Sequence, residues 1–147
     1  MLPVHTTTAK HPGKVVMTGT IADYGKDVAT NAQGKPTAQG GYRKLELKKG
    51  TILVDVAALT KAVGQAFSDA SFDTTTCSVS VTIATPVTIT IVSGTKAYAG
   101  VTGTLAMTGS YALIAPRTKS GACTTKTTAR PLITFAAFTG TGTVALP

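Results

Sequence analysis

Between Ser78 and Ala115, β-branched residues alternate with Ser and Thr, and one Gly-rich turn interrupts the run. Val79, Val81 and Ile83 share one parity, and after Pro86 the beat resumes with Val87, Ile89 and Ile91. Beyond Gly103 it returns as Leu105, Met107, Gly109, Tyr111 and Leu113. Strand side chains alternate between faces, so this beat predicts strands with one buried face and one hydroxyl-rich face in water. The same reading gives strands over Lys14 to Tyr24, with Gly19 as a bulge or bend, over Tyr42 to Leu47 and over Thr51 to Val56. It then gives Val79 to Thr85, Val87 to Ser93, Thr102 to Ile114 and Leu132 to Leu146. The last of these is apolar at both parities, with Leu132, Ile133, Phe135 and Phe138. Gly25 to Gly41 is polar and turn-rich and reads as a loop. Helical spacing is confined to Asp55 to Ala70, where Leu59, Val63 and Phe67 recur on one face and Gly64 weakens the run, so a short helix is expected.

Composition agrees with an all-β chain. Of 147 residues, 43% are hydrophobic and only 14% charged, too apolar for disorder. Trp is absent and Phe and Tyr number four each, so the core is built from Val, Ile, Leu, Ala and Thr. Such a core suits packed sheets better than a large aromatic-lined pocket. Fifteen Gly and seven Pro mark frequent turns, and no repeat or interdomain linker divides the chain. Residues 1–13 read as a leader with two Pro and a Thr run, and 14–147 as one β domain.

The two cysteines, Cys77 and Cys123, read as a disulfide. A nucleophilic Cys wants a His partner, and a zinc site wants more ligands than two Cys and the tail residues His5 and His11 offer. No metal and no cofactor are therefore expected. A bridge points to an oxidising compartment, hence to a secreted or cell-surface protein. Met1 to Lys10 lacks the apolar run of an export signal, so this reading takes the sequence as the mature portion. No apolar stretch approaches transmembrane length.

The connection Ser93-Gly94-Thr95-Lys96-Ala97-Tyr98-Ala99-Gly100-Val101-Thr102-Gly103 has the form Gly-Thr-x-x-aromatic-x-Gly-x-x-Gly between two apolar strands. It resembles the corresponding segment of the allene oxide cyclase and dirigent barrel families. It is more similar still to small exported β-proteins of actinobacteria. Ala115-Pro116-Arg117, the Cys77 strand and the closing Thr139-Gly140-Thr141-Gly142-Thr143 are similar to features of those exported proteins. The resemblance implies a closed antiparallel β-barrel of about eight strands with one short helix, a closure that removes exposed edges. Read physically, Gly94, Gly100 and Gly103 supply positive φ angles or close backbone approach, and Tyr98 packs over the turn.

The functional residues of those families do not transfer well. The acids here are Asp23, Asp27, Glu46, Asp55, Asp69 and Asp73. Asp69 and Asp73 lie in turn-like sequence and read as caps. Asp23, Tyr24, Arg43 and Glu46 form the one candidate catalytic cluster, placed at a barrel mouth, with ordinary surface pairing as the rival reading. No spacing supports the paired carboxylates of glycoside hydrolysis.

A net charge of +8 favours polyanions. The lysines are scattered from Lys10 to Lys126 without interleaved aromatics, so anionic cell-surface material suits the chain better than nucleic acid. Two functions follow. One is an exported, non-catalytic barrel that binds a small apolar ligand or a cell-surface partner. The alternative is a dirigent-like or cyclase-type enzyme that guides a reactive intermediate in its cavity. Homo-oligomerisation is left open by the sequence.

Overall fold

A computed structural model describes residues 11–38, 40–124 and 129–147; most of the leader, His5 and Lys126 lie outside these residues. Seven antiparallel strands form one sheet in strict sequence order: β1 (Gly13–Met17), β2 (Asp23–Thr30), β3 (Tyr42–Leu47), β4 (Thr51–Asp55), β5 (Ser78–Gly94), β6 (Thr102–Ile114) and β7 (Ile133–Ala145). One helix, α1 (Ala57–Asp69), joins β4 to β5. β1 and β7 are the two ends of the ladder and do not pair. The molecule is therefore a curled half-barrel, and the expected closed barrel of eight strands is not formed.

Two strand boundaries differ from the periodic reading. Lys14 to Tyr24 is not one strand, because Gly19 (φ +70°) and Ala22 (φ +41°) turn the chain between β1 and β2. The ladder continues instead through Asp23 to Thr30, running from Gly25 on into the segment expected as a loop, where Asp27 is neutralised by Arg43 on β3. The two runs on either side of Pro86 merge into the single strand β5. Three residues, Ala84 to Pro86, bulge there between the pairs Ile83–Gly109 and Val87–Met107. Proline has no N–H for the ladder, so the bulge is where a strand accommodates it. Only Thr108 lies opposite those three residues, so the parity of β5 survives and Val87, Ile89 and Ile91 stay on the face of Val81 and Ile83.

That shared face makes the core. Ile89 and Ile91 pack with Ile21, Leu45, Leu47, Ile52, Val54, Tyr98 and Val101 in the concavity. Partly buried Val15 and Met17 from β1, and Leu105, Met107 and Val144 from β6 and β7, border the same cluster from its two ends. Further along β5 and β6, Val81, Ile83, Tyr111 and Leu113 form a second cluster covered by α1 through Val63 and Phe67. The Phe67 and Tyr111 rings meet edge to face with centroids 5.3 Å apart. The helix is 13 residues long, at 3.6 residues per turn more than three turns. Just ahead of it, the Asp55 carboxylate accepts the Ala57 N–H at 2.9 Å in an Asx-type turn.

The disulfide is present. Cys77 and Cys123, 46 positions apart, are bonded with Cα atoms separated by 5.3 Å, and Cys77 is buried in the second cluster. The Arg117 guanidinium donates to the Gly121 carbonyl at 2.8 Å and to the Thr75 carbonyl at 2.5 Å, holding the same loop on the turn before β5. Closing a loop of this length stabilises the fold by about 4 kcal/mol in the chain-entropy account. Cys77→Ala with Cys123→Ala is therefore expected to lower the unfolding free energy by about that amount, read as a lower urea midpoint; an unmoved midpoint would contradict this account.

Candidate functional site

Asp23 begins β2 on the concave side and is buried. Buried carboxylates need donors, and this one has four. The Tyr98 hydroxyl donates at 2.6 Å, the backbone N–H groups of Tyr24 and Lys49 at 2.8 and 2.9 Å, and that of Lys48 at 3.3 Å. The donors come from three separate segments: the start of β2, the β3–β4 turn, and the β5–β6 connection. Burial pushes the Asp23 carboxyl up, but the hydrogen bonds from Tyr98, Lys49, Tyr24 and Lys48 outweigh it and hold the pKa at about 2. Burial pushes the Tyr98 phenol up, and its hydrogen bond to the Asp23 carboxylate and the nearby negative charge push it further, to about 12.

The β5–β6 connection is shaped for this contact. Lys96 to Tyr98 form a single 3-10 turn, with Lys96 at φ +54° and Gly100 and Gly103 at φ +82° and +147°. A Cβ on Gly94 would stand 2.1 Å from the Tyr98 carbonyl oxygen, so only glycine lets the turn fold back this tightly. Thr95 fastens it to β4, donating its N–H to the Thr51 carbonyl and accepting the Thr51 N–H at its hydroxyl.

The other three candidates are elsewhere. Tyr24 is exposed on the convex face, with the Lys48 ammonium 5.4 Å from its ring centroid. Glu46 shares that face and pairs with Lys44 at 2.9 Å. Arg43 points to the concave side but at the other end of β3, where its Nε and Nη2 clasp the two Asp27 oxygens at 2.8 and 2.6 Å. The structure thus brings Asp23 to Tyr98 and Arg43 to Asp27, and does not gather Asp23, Tyr24, Arg43 and Glu46 into one site. Asp73 accepts the Thr75 and Thr76 N–H groups, an Asx turn that holds its carboxyl below the usual range. Among the described residues, no group of three or more His, Cys, Asp or Glu side chains could hold a metal ion.

A site that sequence reasoning missed lies on the convex face, at the far end of β5, β6 and β7. The register aligns Ser78 with Ile114 and Ile133, and Ser80 with Ala112 and Phe135. Together they line an open groove of about 220 Å³. Its rim is unusually apolar for water: Ile114 is 41% exposed, Ile133 61% and Phe135 64%. The signal was visible as apolar residues at both parities of the last strand, which a one-sided sheet does not need. No helix among the described residues is long and apolar enough to cross a membrane.

Comparison with protein-family models, with curated proteins and with solved structures returned no match to this chain.

An ionised carboxylate with four donors holds structure rather than moving protons at neutral pH. Because its folded pKa lies below the ordinary 3.8, the stability Asp23 contributes is complete above pH 3.8 and is lost as pH falls toward 2. Tyr98→Phe removes one donor, so the Asp23 carboxyl is expected to titrate higher by 13C NMR and acid unfolding to begin at higher pH. An unchanged titration midpoint would show that the Tyr98 contact does not act on this carboxylate.

Proposed function

We propose that the protein is a non-catalytic binding module of an oxidising, extracytoplasmic compartment, which takes a small apolar ligand in the convex groove of β5, β6 and β7. One observation carries the reading: Ile114, Ile133 and Phe135 are large, apolar, adjacent and wet. Contiguous exposed apolar surface marks binding sites in soluble proteins. The groove, at about 220 Å³, is below the roughly 300–1,000 Å³ of drug-sized pockets, so its ligand is an alkyl chain or a single ring. Ser80, which lines the groove, offers its hydroxyl to a polar headgroup, while the Ser78 hydroxyl is bonded to Thr76 at 2.7 Å.

The ionisable groups point the same way. Asp23 is saturated with donors, and Asp27 and Arg43 neutralise each other in the concavity. That leaves little to steer a reactive intermediate there, so binding is favoured over cyclase-type chemistry. The disulfide supports the oxidising compartment. The charge of +8 favours residence near anionic surfaces.

Nile red, a neutral apolar dye, tests the groove without exploiting the positive charge. Burying a Phe side chain is worth about 1.5–3 kcal/mol, so Phe135→Ser is expected to weaken dye binding by about tenfold or more. Because Phe135 is exposed, the thermal midpoint should hardly move. Equal dye affinity in both proteins would remove the groove from this account.

A further inference from the structure

Among the described residues the sheet has two open edges, and they are protected very differently. β1 is five residues long, follows Pro12 and carries Lys14, all features that discourage strand addition. β7 runs for 13 residues without Pro, without a charged side chain and without a bulge against β6. A long, regular, uncharged edge is a template for another strand.

The pairing geometry says which residues face outward. The Ala115 N–H donates to the Cys77 carbonyl on the β5 side, and the Ile114 carbonyl accepts from Leu132 on the β7 side. Even-numbered β6 residues therefore bond to β7, and their odd-numbered partners in β7 bond back. The backbone groups of Thr134, Ala136, Phe138, Gly140, Gly142 and Val144 are left pointing away from the sheet.

We propose that this edge is occupied by a second copy of the chain, through antiparallel β7–β7 pairing about a two-fold axis at Thr139. This register sets Thr134 against Val144 of the other copy, Ala136 against Gly142, and Phe138 against Gly140, so every outward N–H meets a carbonyl. On the concave side the Phe138 ring of each copy lies beside the bare backbone of Gly140 in the other. On the convex side Phe135 meets Thr143, and Ile133 meets Ala145. The bulkiest residues of the strand, Ile133, Phe135 and Phe138, each face a smaller one across the seam. The bodies carry +8 each and repel, but the seam itself has no charged side chain to add to that repulsion. A closed two-fold pair uses up both β7 edges, whereas a β7–β1 contact would leave an edge open and propagate.

Sedimentation equilibrium of the full chain should show a dimer at about 100 µM, tightened by added salt as the like charges are screened. Thr139 is exposed and pairs with itself across the axis without hydrogen bonds, at a Cα separation of about 4.5 Å. Thr139→Lys sets two ammonium groups against each other and should raise the dissociation constant at least tenfold while leaving the thermal transition of the monomer in place. Thr139→Cys should form a covalent dimer with oxidised glutathione, because that spacing admits a disulfide and the native cysteines are already bonded. Thr143→Cys, opposite Phe135, should not. A wild-type monomer at this concentration overturns the proposal; so does a dimer indifferent to Thr139→Lys, or cross-linking at position 143 but not 139. The dye experiment reads Phe135 and this one reads Thr139, so either reading can fail alone.

Discussion

The architecture depends on one buried carboxylate. Curling a sheet brings its turns together at one end, and turns carry backbone N–H groups that no ladder satisfies. Asp23 collects two such groups from the β3–β4 turn, one from the start of its own strand, and the Tyr98 hydroxyl from the β5–β6 connection. Segments far apart in sequence are thereby tied to a single point. The charge survives burial because donors surround it, and the donors stay fixed because the charge is there.

The other end of the sheet is secured by a different means. There the Cys77–Cys123 bond and the Arg117 guanidinium hold the 115–124 loop against the turn preceding β5, while α1 covers the second cluster. A core without Trp, built from short aliphatic side chains, has little area to spend per residue. Covalent and ionic clasps at the two ends offset that shortage and leave the long strands β5, β6 and β7 to run between them.

How much of this could be read from the chain alone divides along physical lines. Two-residue periodicity located β3, β4, β6 and β7 because one side of each must be buried, and the alternation is a direct record of that. It failed at Gly25 to Thr30, where strand pairing is supported by an ion pair between Asp27 and Arg43 and the residues look like a loop. It also split β5 at Pro86, since nothing local shows that three bulged residues preserve parity. The disulfide was readable from cysteine count and the lack of His partners. The Asp23–Tyr98 bond was not: the two residues are 75 positions apart, and neither side chain has a local pattern that names the other. Closure failed for a related reason, since periodicity specifies which face is buried but not whether the last strand reaches the first.

An open curl divides the surface into unlike parts. Concave side chains are committed to packing, and their few charges are paired within the molecule. The convex side of β5, β6 and β7 is rich in hydroxyls and lines an apolar groove with Ile114, Ile133 and Phe135, while Val16 and Tyr24 are exposed at the β1 end. β7 is where these regimes meet. Its concave positions include Gly140 and Gly142, where a Cβ would stand 2.1 Å from Met107 Sδ and 2.0 Å from the Thr104 carbonyl oxygen. Close packing against β6 thus strips the strand of side chains that could shield its edge. The same crowding that fits β7 to its neighbour leaves its outer backbone bare, so whatever this protein binds, recognition is most readily built on the last strand.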